Sequence, residues 1–224
     1  MQDSGQRVVE AYVGEYASGK SENAINRALQ LAALNQPVTL ADLDLVEPCY
    51  TLRSLQEILN KKGIDVLAWT TAQTIGLGEA GQTLHPACRW ALKRPGNVIL
   101  DIGYGTHGAN ILNLLEGADC EPDLRVILVA NFSRPLTGDL QRFMEYAQGI
   151  GRFDALLANT HLSDETTPQV VLDGIKKTIQ AAEQLQVAVD AFSVTKEFMQ
   201  KYPDFDYDGL PMRVLQRYMP QGFW

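Results

Sequence analysis

Short apolar runs rich in β-branched residues alternate with longer amphipathic ones along the whole chain, the rhythm of an α/β protein. The short runs predict strands at 7–13, 38–42, 65–69, 98–101, 125–130, 155–159 and 187–194: a mostly parallel central sheet of about seven strands, in which only the outermost break the rule. Between them, 21–35, 52–62, 86–93, 108–115, 138–149 and 168–185 show helical spacing. In the last, Val170, Val171, Ile175, Ile179 and Ala182 fall on one stripe, the face that would pack on the sheet. Pro86 and Pro168 suit a first helical turn, where a missing amide proton costs nothing. Right-handed crossovers then put helices on both faces and line the strand C-terminal ends with loops, where ligands of such sheets bind.

No repeat, low-complexity tract or linker interrupts this pattern, so residues 1–224 read as one domain with a C-terminal extension from about 195. The stretch 70–84, with Gly76, Gly78 and Gly81, is polar and predicts a mobile loop near the site. Residues 202–224 are rich in aromatics, prolines and aspartates and either pack as an edge extension or contact a partner.

Composition narrows the partners. With 46% hydrophobic and 8% aromatic residues the chain has ample core, and 19 basic against 27 acidic side chains leave a formal charge of −8, which repels a polyanionic backbone. Nucleic acid is not the expected partner. No apolar run approaches the roughly 20 residues of a membrane span, and residues 1–6 lack the character of a signal peptide, so a cytoplasmic location is expected. Cys49, Cys88 and Cys120 stand in no disulfide or zinc spacing and predict three buried, reduced thiols.

The first strand runs into Gly14-Glu15-Tyr16-Ala17-Ser18-Gly19-Lys20-Ser21, a G-x-x-x-x-G-K-[ST] match placed between a strand and a helix, as its mechanism requires. The glycines let the backbone wrap a phosphate, the amide protons and helix N-terminus supply partial positive charge, and Lys20 adds a full one. Ser21 is the expected Mg2+ ligand.

Such a loop needs an acidic group at the end of a neighbouring apolar strand. Val98-Ile99-Leu100-Asp101 supplies one and continues through Gly103 and Gly105, a candidate switch; otherwise Asp101 caps a turn at the strand end. Asp42 and Asp44 close the second strand. Alternation along an extended chain puts both on one side, facing one magnesium–water shell, unless they cap the following turn.

The combination of residues 14–21, Asp42-Leu43-Asp44-Leu45-Val46-Glu47-Pro48, the stretch 101–105, Asn159-Thr160-His161, and Arg217-Tyr218-Met219 with Trp224 resembles the MinD/ParA/CobQ-CobB branch of P-loop ATPases, of the SIMIBI type, and within it a group of small bacterial ATP-binding proteins. The resemblance covers essentially the whole chain. It implies ATP and Mg2+ as cofactors, Lys20 and Asp44 as the catalytic pair with Asp44 positioning water, and Asp42 and Asp101 in the magnesium shell with Ser21. MinD and ParA proteins carry a lysine after the first glycine of the loop, where this chain has Glu15. A monomer, or a homodimer whose formation does not depend on ATP, is therefore expected.

The sixth strand ends Asn159-Thr160-His161-Leu162, with leucine where Asn-Lys-x-Asp proteins hold the guanine-reading aspartate, which favours adenine. Asn159 either bonds the base or terminates the strand. Asn131 is a second base-side candidate, and Arg134 and Arg53 reach phosphate or an acidic substrate if they are not surface residues. His107 and His161 are polar loop histidines or proton relays. Asp164 and Glu165 read as a helix-start cluster favoured by the dipole. The expected function is a Mg2+-dependent ATP-binding protein, a slow ATPase that signals to a protein partner. The alternatives are an ATP-dependent metal-insertion chaperone or small-molecule-activating enzyme, or a scaffold that never hydrolyses.

Overall fold

The computed structural model describes residues 7–44, 52–70, 73 and 83–219, with 106–108 described in backbone only. Cys49, the glycines of the 70–84 loop, Leu45 to Pro48, the His107 side chain and Trp224 lie outside the described residues.

The strands are β1 (Val9–Gly14), β2 (Val38–Leu43), β3 (Ile64–Leu67), β4 (Asn97–Ile102), β5 (Leu124–Ala130), β6 (Ala155–Ala158), β7 (Ala188–Thr195) and β8 (Met212–Leu215). They form one sheet in the order β3-β2-β4-β1-β5-β6-β7-β8. Every pairing among them is parallel, the outermost included, which corrects the expectation of a different sense at the edges. The β7–β8 connection explains this. Helix Lys196–Lys201 and the segment behind it carry the chain back, so β8 enters from the same end as β7. β8 escaped the pattern because it has four residues, of which only Leu215 is buried.

The helices are α1 (Lys20–Ala32), α2 (Gln56–Asn60), α3 (Gly105–Asn110), α4 (Leu140–Ile150), α5 (Pro168–Leu185) and α6 (Lys196–Lys201). Residues Pro86–Lys93 wind as a 3-10 helix, tighter than expected. Thr167 caps α5 at the Val170 amide ahead of Pro168, and Asp139 caps α4 at the Arg142 amide. Asp164 and Glu165, expected as a helix-start cluster, sit instead in a separate 3-10 turn, Ser163–Glu165, ahead of α5, and Asp164 pairs with Arg217 at 3.0 Å.

Period-two alternation divides the sheet between two cores. From β1, Val9, Ala11 and Val13 face Phe143, Ala147 and Ile150 of α4, whereas Tyr12 faces Ala24, Ile25 and Ala28 of α1. Helices therefore cover both faces. On α5 the buried stripe is Val171, Gly174, Ile175, Thr178, Ala181 and Ala182, with Val170 and Ile179 half-buried beside it. A side chain at Gly174 would put its Cβ 2.2 Å from Cβ of Thr160, so glycine is what lets α5 lie against the end of β6. The described part of the tail packs as an edge extension, with Phe205 and Tyr207 edge-on to the buried Phe192 of β7.

Beneath the sheet lies an ionic network. Tyr12 Oη donates to Glu10 Oε2 at 2.7 Å and accepts from Arg213 of β8 at 2.8 Å; Arg27 of α1 also holds Glu10, and Arg213 reaches Asp190 of β7. Cys88 is buried, its thiol directed at the Leu67 and Asp42 carbonyls and its pKa pushed up to about 12 by burial and the nearby Asp42 charge. Cys120 is exposed, against expectation.

Candidate nucleotide site

β1 lies between β4 and β5, so the chain leaves it at the point where strand order switches sides, the place where a crevice opens above a parallel sheet. Residues 14–21 occupy that point. Gly19 adopts φ 95°, and a Cβ there would meet Asn159 Nδ2 at 2.1 Å. The position thus requires glycine on two counts. No side chain caps α1, which leaves its first-turn amides for an anion. Lys20 is buried and its Nζ donates to the Glu15 carbonyl at 2.9 Å, spanning the mouth of the loop.

The parallel register sets Asp42 of β2 opposite Asp101 of β4, and Tyr12 opposite Asp101 on the other side. Asp101 is 1% exposed and lies beside the Ser21 hydroxyl. Burial, then the Asp42 charge, push its pKa up to about 8 against the opposing influence of Ser21 and Lys20. Its Oδ1 has no hydrogen-bond partner among the described residues. Two clustered carboxylates and a hydroxyl, one oxygen of them buried and unsatisfied, fit Mg2+, which takes one or two carboxylates and keeps waters or phosphate oxygens for the rest. Among the described residues no three His, Cys, Asp or Glu side chains group into an all-protein metal cage.

Asp44 departs from the expected alternation. The strand ends at Leu43, and the Asp44 amide donates to Asp42 Oδ1 at 3.1 Å, so Asp42 caps the turn while facing Asp101. The Asp44 carboxylate lies instead against Gly103, where an added Cβ would approach its Oδ1 to 2.9 Å. That places Asp44 beside the candidate switch.

Asn159, expected at the base, lines the pocket beyond α1 and also braces the phosphate loop. Its Nδ2 donates to the Ser18 carbonyl at 2.6 Å, a buried strut from β6 to the phosphate loop. The loop after β5 is tied down as well: Phe132 N donates to Thr160 Oγ1 at 3.0 Å and Ser133 N to Asn131 Oδ1 at 3.0 Å. Glu15, the residue in place of the signature lysine, turns toward this loop. It accepts from the Leu136 amide at 3.0 Å and lies 2.7 Å from Thr137 Oγ1. Tyr16 packs edge-on to Tyr104 of the switch, and Ala17 takes φ 53° between them and Ser18.

Beyond α1 a narrow pocket of about 40 Å3 opens, walled by Gly19, Glu22, Asn159, His161, Phe198 and Arg217. His161 is held neutral: burial and the charges of Arg134 and Arg217 lower its pKa to about 4, and Nδ1 accepts from the Ser163 amide, which leaves the proton on Nε2. Glu22 accepts from the Tyr218 and Met219 amides, and Asn26 exchanges two hydrogen bonds with the Gln216 backbone, both at 2.9 Å. Residues 216–219 are thereby clamped to the first turns of α1. Sequence reasoning missed Glu22 and Arg217 as pocket residues. The acidic residue directly after Ser21 was the one available signal, and its partners lie 196 and 197 positions away. Arg53, on the 3-10 turn Leu52–Leu55, is not among the pocket residues.

A phosphate loop at the switch point of a parallel sheet, with the acidic strand directly beside it, defines the P-loop NTPase fold. No protein-family model matches the chain, and no curated protein matches it. Solved structures do. The cell division protein FtsY of Thermotoga maritima superposes with a TM-score of 0.55 at 17% identity, over 84% of this chain and 62% of that one. The signal recognition particle receptor FtsY of Elizabethkingia anophelis, in complex with GDP, gives 0.56 and 19% over 87% and 59%. FtsY of Mycoplasma mycoides gives 0.57 and 16% over 85% and 60%. The likeness is one of fold, and the chain spans about three fifths of the length of these structures. It reaches the P-loop NTPase fold and not the MinD/ParA branch in particular.

Proposed function

We propose that this protein binds a magnesium nucleoside triphosphate, ATP by preference, and works as a slowly hydrolysing switch for a protein partner. The observation that carries this reading is the junction of the uncapped α1 terminus, Lys20 and Ser21 with a buried, incompletely satisfied Asp101. Lys20 and the loop amides neutralise phosphate charge. Ser21, Asp42 and Asp101 would hold Mg2+, which when bound supplies charge neutralisation between the outer phosphates. Asp44, beside Gly103, orients the attacking water and accepts its proton, and the Gly103–Gly105 stretch follows the loss of the terminal phosphate.

The base pocket supports adenine. Guanine presents two donors on one edge and calls for a carboxylate; the one carboxylate lining the pocket, Glu22, is already engaged by two backbone amides, and Leu162 is exposed at the diagnostic position. That a structural neighbour was solved with GDP is the observation on the guanine side. In that pocket the MinD/ParA resemblance and the geometry favour the same base. Titration calorimetry with ATP and GTP, each with Mg2+, tests the reading, together with phosphate release. Tighter binding of ATP, abolished by Lys20→Ala at unchanged circular dichroism, is expected; tighter binding of GTP would reverse the base assignment, and wild-type affinity in Lys20→Ala would end the phosphate-loop reading.

A further inference from the structure

We propose that Arg134, on the loop after β5, binds the terminal phosphate of the nucleotide from within the same chain, presented there by a clasp between Glu15 and its own loop. This rests on the phosphate-loop reading above. Arg134 Nε and Nη2 are buried and have no hydrogen-bond partner among the described residues, and no carboxylate there lies within ion-pair distance of it. Buried guanidinium nitrogens without an acceptor are costly in a protein interior, and the pair Nε and Nη2 is one of the two-pronged edges with which arginine grips a phosphate.

The position is built. Arg134 N donates to the Asn131 carbonyl and its own carbonyl accepts from Thr137 N, so residues 131–137 form a closed turn. Glu15 secures that turn through Leu136 N, and its other oxygen lies 2.7 Å from Thr137 Oγ1, which the Asn131 carbonyl also approaches to 2.7 Å; the carboxylate holds the turn beside Arg134 without pairing with it. The electrostatic neighbours of Arg134 are Glu15, Tyr16 and His161. The first two belong to the arc whose carbonyl Lys20 touches, and a phosphate-loop lysine reaches the β- and γ-phosphates, so that arc flanks the outer end of a triphosphate.

Charge balance points the same way. Asp42, Asp44, Asp101 and Glu15 surround the loop, and Lys20 is its one cation. A triphosphate entering this field is favoured by a second fixed positive charge, and Arg134 provides it without a partner subunit. Glu15 is then a positioning residue.

Calorimetry with Mg-ATP and Mg-ADP on wild-type, Arg134→Ala, Arg134→Lys and Glu15→Ala proteins tests this. Arg134→Ala is expected to weaken ATP by about tenfold or more and to leave ADP nearly unchanged. Lysine should restore part of the ATP preference, and Glu15→Ala should reduce it with Arg134 intact. Should Arg134→Ala fail to fold by circular dichroism, Arg134→Gln carries the same test. A wild-type ratio of ATP to ADP affinity in the folded alanine or glutamine variant overturns the proposal. If Lys20→Ala still abolishes binding in that case, the phosphate-loop reading stands alone; a wild-type protein that binds neither nucleotide removes both.

Discussion

Replacing Asn159 by alanine removes the donor that satisfies the Ser18 carbonyl at 2.6 Å in a site where Asn159 is 4% exposed. The carbonyl stays buried, so the loss is that of an unsatisfied acceptor, about 1–3 kcal/mol, with a small further cost for the cavity. For a chain of 224 residues each kcal/mol shifts Tm by about 2–4 °C, which predicts a fall of several degrees. Ser18 lies inside the phosphate loop, so the same change loosens the loop and weakens every ligand that uses it. A strut and a base contact separate cleanly by assay. If Asn159 is a strut, calorimetry shows ATP, ADP and inorganic tripolyphosphate weakened by similar factors. If it reads the base, tripolyphosphate binding survives untouched while ATP binding falls, and Tm hardly moves; that outcome would refute the argument. A double mutant sharpens it. Gly19→Ala sets a Cβ 2.1 Å from Asn159 Nδ2, so removing that amide should recover part of the damage, a coupling that independent sites do not show.

Gly174→Val should lower Tm by several degrees, because its branched side chain collides with Thr160 at a helix–strand contact that cannot widen locally; thermal denaturation followed by circular dichroism checks it. Asp44→Asn should keep ATP binding and lose most phosphate release, as an amide is a poor proton acceptor, and unchanged turnover would remove Asp44 from the chemistry. His161 has a folded pKa lowered from 6.5 to about 4, so the unfolded chain binds the extra proton first. Its contribution is full above the unfolded value and drains away as pH falls toward 4, by about 3 kcal/mol at most. Urea denaturation at pH 7 and pH 4.5 should therefore show a smaller acid loss in His161→Gln than in wild type, and equal losses would remove His161 from the account.

The central strands and the phosphate loop were legible because their signals are local: β-branched runs bounded by turns, and eight consecutive residues whose types the chemistry dictates. The parallel edge was not. β8 is four residues with a half-exposed pattern, and its place follows from contacts made by Arg213 and Gln216 across the fold. The same limit governed the site. Asp101 and Ser21 were recognisable in kind and meet in space, whereas the bond from Asn159 to Ser18 spans 141 positions and that from Leu136 to Glu15 spans 121. Spacing reveals which groups a segment owns, and sheet order decides which of them meet.

The clamp that joins Gln216, Tyr218 and Met219 to Asn26 and Glu22 also sets an order in time. During synthesis α1 and the phosphate loop leave the ribosome almost 200 residues before the segment that walls the pocket. Until β8 docks, Glu22 lacks its two amide donors, Glu10 and Tyr12 lack Arg213, and the pocket beyond α1 lacks the wall that Leu215 and Arg217 provide. A nascent chain halted before that point owns every residue of the phosphate motif and only part of the pocket beside it.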